Sequence, residues 1–135
     1  MARRSIEEPV ETFRVKPNKG RGYFDVLIFK SVPAMRRHAL WLIKKEKHVC
    51  GPGAFWAISL CYSPGPLLGR ILFAKTKMSP GIVTHELTHA AIHWADLRKI
   101  KPMEDINGPD TTQEELFTRA LHEMVDQFHA RFQAE

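Results

Sequence analysis

A chain of 135 residues is one domain's worth, too short for a barrel or a doubly wound dinucleotide-binding sheet. Its 44% hydrophobic and 26% charged residues describe a globule with a usable core, and no window approaches the run of about eighteen uncharged apolar residues that a spanning helix needs. The net charge of +5 hides a split: residues 1–79 hold fifteen Lys and Arg against five acids, whereas residues 80–135 hold five against ten.

In chain order, residues 1–22 read as a flexible basic arm, with Pro9, Pro17 and Gly20 among its charges, and residues 23–135 as a single domain. Phe24 to Phe29 is a short apolar run of strand formers, the pattern of a buried strand. Ser31-Val32-Pro33 opens a helix whose apolar face, Met35, Ala39, Leu40, Leu42 and Ile43, continues to about Lys47. Gly51-Pro52-Gly53 breaks it. Ala54 to Tyr62 is the second strand, and Ser63-Pro64-Gly65-Pro66 a tight connection to the third, Leu67 to Lys75. Gly69 and Arg70 inside that third run mark an edge strand or a bulge. Ser79-Pro80 is an N-cap followed by proline at the first helical position, and the helix it starts runs to about Lys99. After a polar loop containing Asn107-Gly108-Pro109, a last helix spans about Thr111 to Phe132, with Phe117, Ala120, Leu121, Met124, Val125 and Phe128 at helical spacing.

The basic half has no nucleic-acid motif beside it, so its charge reads first as a solvated face and as a cation-favouring end of the first helix, at Lys44, Lys45 and Lys47. Nucleic acid stays the less favoured partner, and a membrane is not expected. Met1 to Val15 lacks the apolar centre of a secretory signal. Cys50 and Cys61 are too few for a disulfide framework. A reduced, cytoplasmic protein is expected.

The chemistry lies in His85-Glu86-Leu87-Thr88-His89. Histidines at i and i+4 lie one above the other on a helix, so both rings can reach one metal ion. A glutamate next to the first histidine is turned about 100° around the helix, and reaches a water at the open position of the ion rather than the ion itself. Zinc activates such a water, and a carboxylate takes its proton as it attacks a carbonyl. One zinc per chain is expected, bound by His85 and His89, with Glu86 as the general base. A third protein ligand is needed. A histidine six residues after His89 would supply it, but Ala95 stands there. His93 is a turn too far along and reads as a packed or surface residue. A glutamate from the next helix remains. Glu114 lines up with Phe117, Leu121 and Val125 and is chosen; Glu115, in line with Arg119, His122 and Asp126, is the alternative. Either glutamate could also serve as the acidic member of a capping box with Thr111 or Thr112.

The HELTH segment, preceded by a strand and followed by a helix opening with Glu-Glu, resembles the zincin metallopeptidases of the gluzincin type. It is closest in size to the minimal zincins of bacteriophages and mobile elements, and less close to the ImmA/IrrE-like peptidases. The resemblance covers about residues 24–130, but its specific part is His85 to His89 with Glu114 or Glu115. It implies an α+β minimal zincin fold: a small twisted mixed sheet of about three to four strands, packed by an N-terminal helix, the active-site helix and a C-terminal helix. It also implies that the strand before the active-site helix, Leu67 to Lys75, is the sheet edge to which a protein or peptide substrate adds. A group that polarises the carbonyl is usual in the family, with Tyr62, His122 and His93 as candidates. Trp41, Trp56 and Trp94 read as core residues. SprT-like proteases share the metal motif but place a third histidine in a turn where Asn107 stands here, which counts against a site of their kind. The leading expectation is therefore a zinc-dependent peptidase, a hydrolase. The alternatives are a zincin-fold binding or regulatory protein whose metal is structural or inactive, an SprT-like DNA-associated protease, and a nucleic-acid-binding module.

Overall fold

The computed structural model describes residues 8–18, 22–46, 56–62, 65–100 and 112–132. In chain order the elements are β1 (Glu11–Val15), β2 (Tyr23–Phe29), α1 (Val32–Glu46), β3 (Ala57–Cys61), β4 (Leu67–Ala74), a single 3-10 turn (Lys75–Lys77), α2 (Pro80–Leu97) and α3 (Thr112–Phe132). The strands form one mixed sheet in the order β1-β2-β4-β3. β1 runs antiparallel to β2, β2 parallel to β4, and β3 antiparallel to β4. α1 lies between the two parallel strands in the chain, as a parallel connection requires. The molecule is thus an α+β domain, with a four-stranded mixed sheet and three helices among the described residues.

Both faces of the sheet are covered, which is why β2 and β4 read as nearly unbroken apolar runs. Phe24, Val26, Ile28, Ile71 and Phe73 pack on one side with α2 and α3, while Leu27, Phe29, Leu72 and Ala74 pack on the other with Ala34, Met35, Ala39 and Leu42 of α1. Among the described residues, no helix is long and apolar enough to cross a membrane.

Two expectations about the sheet are corrected. Residues 1–22 are not an arm throughout, because Glu11–Val15 is a paired strand. Phe13 and Val15 alternate inward against α3, a period of two that is hard to see beside Arg14, Lys16 and Pro17. The other correction concerns Leu67 to Lys75: β4 is paired on both sides, and among the described residues β3 lies at the border. Gly69 and Arg70 suggested an edge or a bulge, and the bulge is what forms. Tyr23 faces Leu67 and Phe24 faces Gly69, so Leu68 is the extra residue. Gly69 marks a close approach: a Cβ there would collide with the Leu60 carbonyl oxygen of β3 and come within 3.2 Å of the Phe24 ring.

The helix that carries the motif is well delimited. Ser79 Oγ accepts from the Ile82 amide at 3.1 Å, and Pro80 occupies the first turn. The far end closes through Lys99, which takes a left-handed φ of 59° while the Ile100 amide reaches back to the Ala95 carbonyl at 2.8 Å. Val83, Leu87, Ala90, Ala91, Trp94 and Ala95 form the buried stripe of α2. α3 answers with Ala120, Met124 and Phe128 at every fourth position. The Phe128 ring meets Phe13 and Phe73 edge-on at 5.5 and 5.3 Å. Gln127 clamps the chain leaving β1: its Oε1 accepts from the Lys16 amide at 2.7 Å and its Nε2 donates to the Lys16 carbonyl at 2.9 Å.

Trp94 is buried, as expected, but Trp41 and Trp56 are not core residues, with 38% and 48% of their surface exposed. Trp41 lies on the outward side of α1 and Trp56 just before β3, so both indoles sit at the rim. Cys50 and the Asn107-Gly108-Pro109 turn lie outside the described residues.

Candidate metal centre

α2 crosses the sheet along its border strand. Glu86 meets Ser59, and seven residues later His93 meets Tyr62. Seven helical residues rise about 10.5 Å, and three strand residues about 10 Å. Helix and strand therefore run in step in the same direction, and the side of α2 next to β3 is fixed at two points.

The three residues of the motif come together. His85 and His89 are exposed, with Nε2 atoms 3.1 Å apart and ring planes at 85°. Glu86, turned to the sheet side, is fully buried. Its Oε1 accepts a 2.6 Å hydrogen bond from Ser59 Oγ. Among the described residues its Oε2 has no hydrogen-bond partner, and it lies 3.7 Å from His85 Nε2. One ligand atom from each of the three residues falls within 4.8 Å of the others.

This group could hold a metal ion. Two nitrogens bound to one tetrahedral ion at about 2.0–2.1 Å lie about 3.3 Å apart, close to the separation found here. The orphaned oxygen points the same way. A buried carboxylate oxygen without a donor costs on the order of 1–3 kcal/mol or more, and a cation or a coordinated water in the space beside the imidazoles would relieve that cost. The space opens outward. A shallow cleft of about 570 Å³ runs along α2 past the two histidines, with Gly81, Thr84, Thr88 and Ile92 beside them.

Comparison with family models, with curated proteins and with solved structures finds no match to this chain. The chemistry of the site must therefore be argued from its residues.

Glu114 and Glu115 are not part of the group. Both are exposed in the first turn of α3. The buried line of that helix is Ala120, Met124 and Phe128, while Phe117, Leu121 and Val125, the row that would orient Glu114 inward, are only half-buried. The three candidates for a polarising group engage elsewhere. His93 Nε2 donates to the Tyr62 carbonyl at 2.8 Å, and its ring packs against Phe24. The Tyr62 hydroxyl accepts from Arg70 at 2.9 Å. His122 pairs with Asp126 on the outer face of α3 at 3.0 Å. The reading of His93 as a packed residue agrees with its position.

Ser59 is the residue that sequence reasoning overlooked. The signal was present: within Ala57–Cys61, serine is the single hydroxyl in an otherwise apolar strand, on the same side as the fully buried Ala57. What the sequence lacked was any indication that this side faces Glu86.

Proposed function

We propose that the chain is a zinc-dependent metallopeptidase of the gluzincin type, in which His85 and His89 hold the ion and Glu86 is the general base, while Glu114, or alternatively Glu115, would have to be brought in from the first turn of α3 to complete the ligand set. The observation that carries this reading is Glu86 Oε2, buried and unpaired beside two imidazole nitrogens at ligand spacing. A structural site has no need of a buried carboxylate next to its ligands; hydrolysis does.

When bound, zinc supplies Lewis acidity and makes a coordinated water acidic enough to act near neutral pH. The rest falls to the chain. Ser59 holds Glu86 Oε1, so the carboxylate cannot rotate and Oε2 stays turned toward the space beside His85. Oε2 takes a proton from the attacking water and returns it to the departing amine. The cleft along α2 receives the substrate, and its uncharged lining at Gly81, Thr84, Thr88 and Ile92 suits a peptide without charged side chains at that point. An extended segment would add to β3, which among the described residues is paired on one side only.

The test is elemental analysis together with cleavage of a quenched-fluorescence peptide library. Wild type should carry one zinc per chain and cleave. His85→Ala/His89→Ala should lose both properties. Glu86→Gln should keep zinc and lose cleavage by about 10²–10⁴-fold. No zinc in wild type after reconstitution would overturn the reading. Zinc bound without Glu86-dependent cleavage would leave a zinc-binding protein that does not turn over.

A further inference from the structure

Part of the basic excess noted in the sequence gathers on one side of the sheet. On α2 with its C-terminal end, and on α3, the exposed acids Asp96, Glu114, Glu115, Glu123 and Asp126 are interspersed with the exposed cations Arg98, Lys99, Arg119 and Arg131. α1 covers the opposite face, and its outward surface carries Arg36, Arg37, Lys44 and Lys45, all exposed. Between these two cation pairs lie Leu40, 67% exposed, and Trp41. Lys45 Nζ stands 4.6 Å from the centre of the Trp41 ring. The same pattern recurs beside α1. Trp56, two residues before Ile58 on the α1 side of the sheet, has Lys77 Nζ 5.1 Å from its ring, and Lys75 is exposed in the same turn. The described acids bordering the cleft next to Trp41 are Glu8 and Asp25, and Asp25 is engaged by Arg14 at 3.3 Å.

We infer that the α1 side is a docking surface for single-stranded nucleic acid, with phosphates on the two cation pairs and a base on Trp41. This does not depend on the peptidase reading, because the metal group lies on the other side of the sheet. No motif marks the surface in the sequence; it exists because the fold gathers the cations and leaves two indoles at the rim. The eight helical steps from Arg36 to Lys44 span about 12 Å. That is long enough for a strand backbone to run from one cation pair to the other with an unpaired base over the indole between them. Indole faces are sequence-tolerant stacking platforms, and cations tracking the backbone supply most of the affinity. A bilayer fits less well: its binding grows with inserted apolar area, and one leucine with two half-exposed indoles offers little beside six cations.

The test is fluorescence anisotropy of an end-labelled oligothymidylate of about 15 nucleotides, near the upper end of known site sizes, titrated with the full chain at several salt concentrations. Binding should weaken steeply with salt. Replacing Arg36, Arg37, Lys44 and Lys45 together by Gln should lower the slope of log K against log salt by about 3, at about 0.7 for each phosphate no longer neutralised. Replacing Lys44 and Lys45 alone should lower it by about half as much, and this keeps the test open if the fourfold variant folds poorly. Zinc content and melting temperature of the paired variant should match wild type. An absence of binding, or a slope unchanged in the variants, would overturn the inference. So would equal affinity for the corresponding duplex, or binding to phosphatidylserine vesicles but not to the oligonucleotide.

Discussion

Ser59→Ala separates a designed interaction from an incidental one. Among the described residues the hydroxyl is the sole hydrogen-bond partner of a carboxylate with no solvent exposure, at 2.6 Å. Hydrogen bonds to charged groups contribute about 1.5–3 kcal/mol, and truncation leaves both Glu86 oxygens without a donor. A loss of about 2–3 kcal/mol follows. For 135 residues the unfolding entropy is about 0.28 kcal/mol/K, so each kcal/mol lowers the melting temperature by about 3.5 °C. The expected drop is therefore about 7–11 °C, read by circular dichroism on metal-free protein. Zinc affinity should stay near wild type, because His85 and His89 are untouched, while peptide cleavage falls. Ser59→Thr, which keeps the hydroxyl, should recover much of the activity if the strand accepts the extra methyl. Metal-free Ser59→Ala that melts with wild type would refute the reasoning, since Glu86 could not then be resting on β3.

Other substitutions address the scaffold and the third ligand. Gly69→Ala places a methyl against the Leu60 carbonyl and should destabilise by about 3 kcal/mol, the upper part of the range for overpacking, as measured by urea unfolding. Ser79→Ala removes the cap of the helix that carries the histidines and should cost about 1 kcal/mol in the same assay, with metal binding retained. Glu114→Ala and Glu115→Ala, compared by zinc stoichiometry, should differ: loss of zinc in Glu114→Ala alone names Glu114 as third ligand, whereas retention in both excludes the pair.

The parts of this molecule that depend on local pattern were legible from residue order. Phe24 to Phe29, the helix over Pro80 to Leu97 with its Ser-Pro start, and the last helix from its apolar spacing all fall within a few residues of where the chain places them. His85, Glu86 and His89 converge because i, i+1 and i+4 on one helix fix their positions without any tertiary information. What escaped depends on neighbours far away in the chain. Glu11–Val15 is a strand because Phe128 and Gln127 lie over it, over a hundred residues later. Gly69 looked like the mark of a border, but it makes room for the Leu60 carbonyl, which only the β3–β4 pairing reveals. Ser59 acquires a role only once α2 lies on β3. Glu114 lines up with the half-buried row Phe117, Leu121 and Val125, but it sits in the first turn of α3, which is exposed.

The clamp between Gln127 and Lys16 has a bearing on how the chain is made. β1 leaves the ribosome before the other described strands, yet its inward side chains Phe13 and Val15 find their cover on α3, along with the amide side chain that imitates a ladder rung. Synthesis must therefore reach α3 before the inward face of β1, which can already pair with β2, gains its cover. A nascent chain ending before about Phe117 would hold its β2–β4 pairing at the price of an uncovered apolar flank. Helper proteins would have the most to bind at that stage, and quality-control proteases the most to cut.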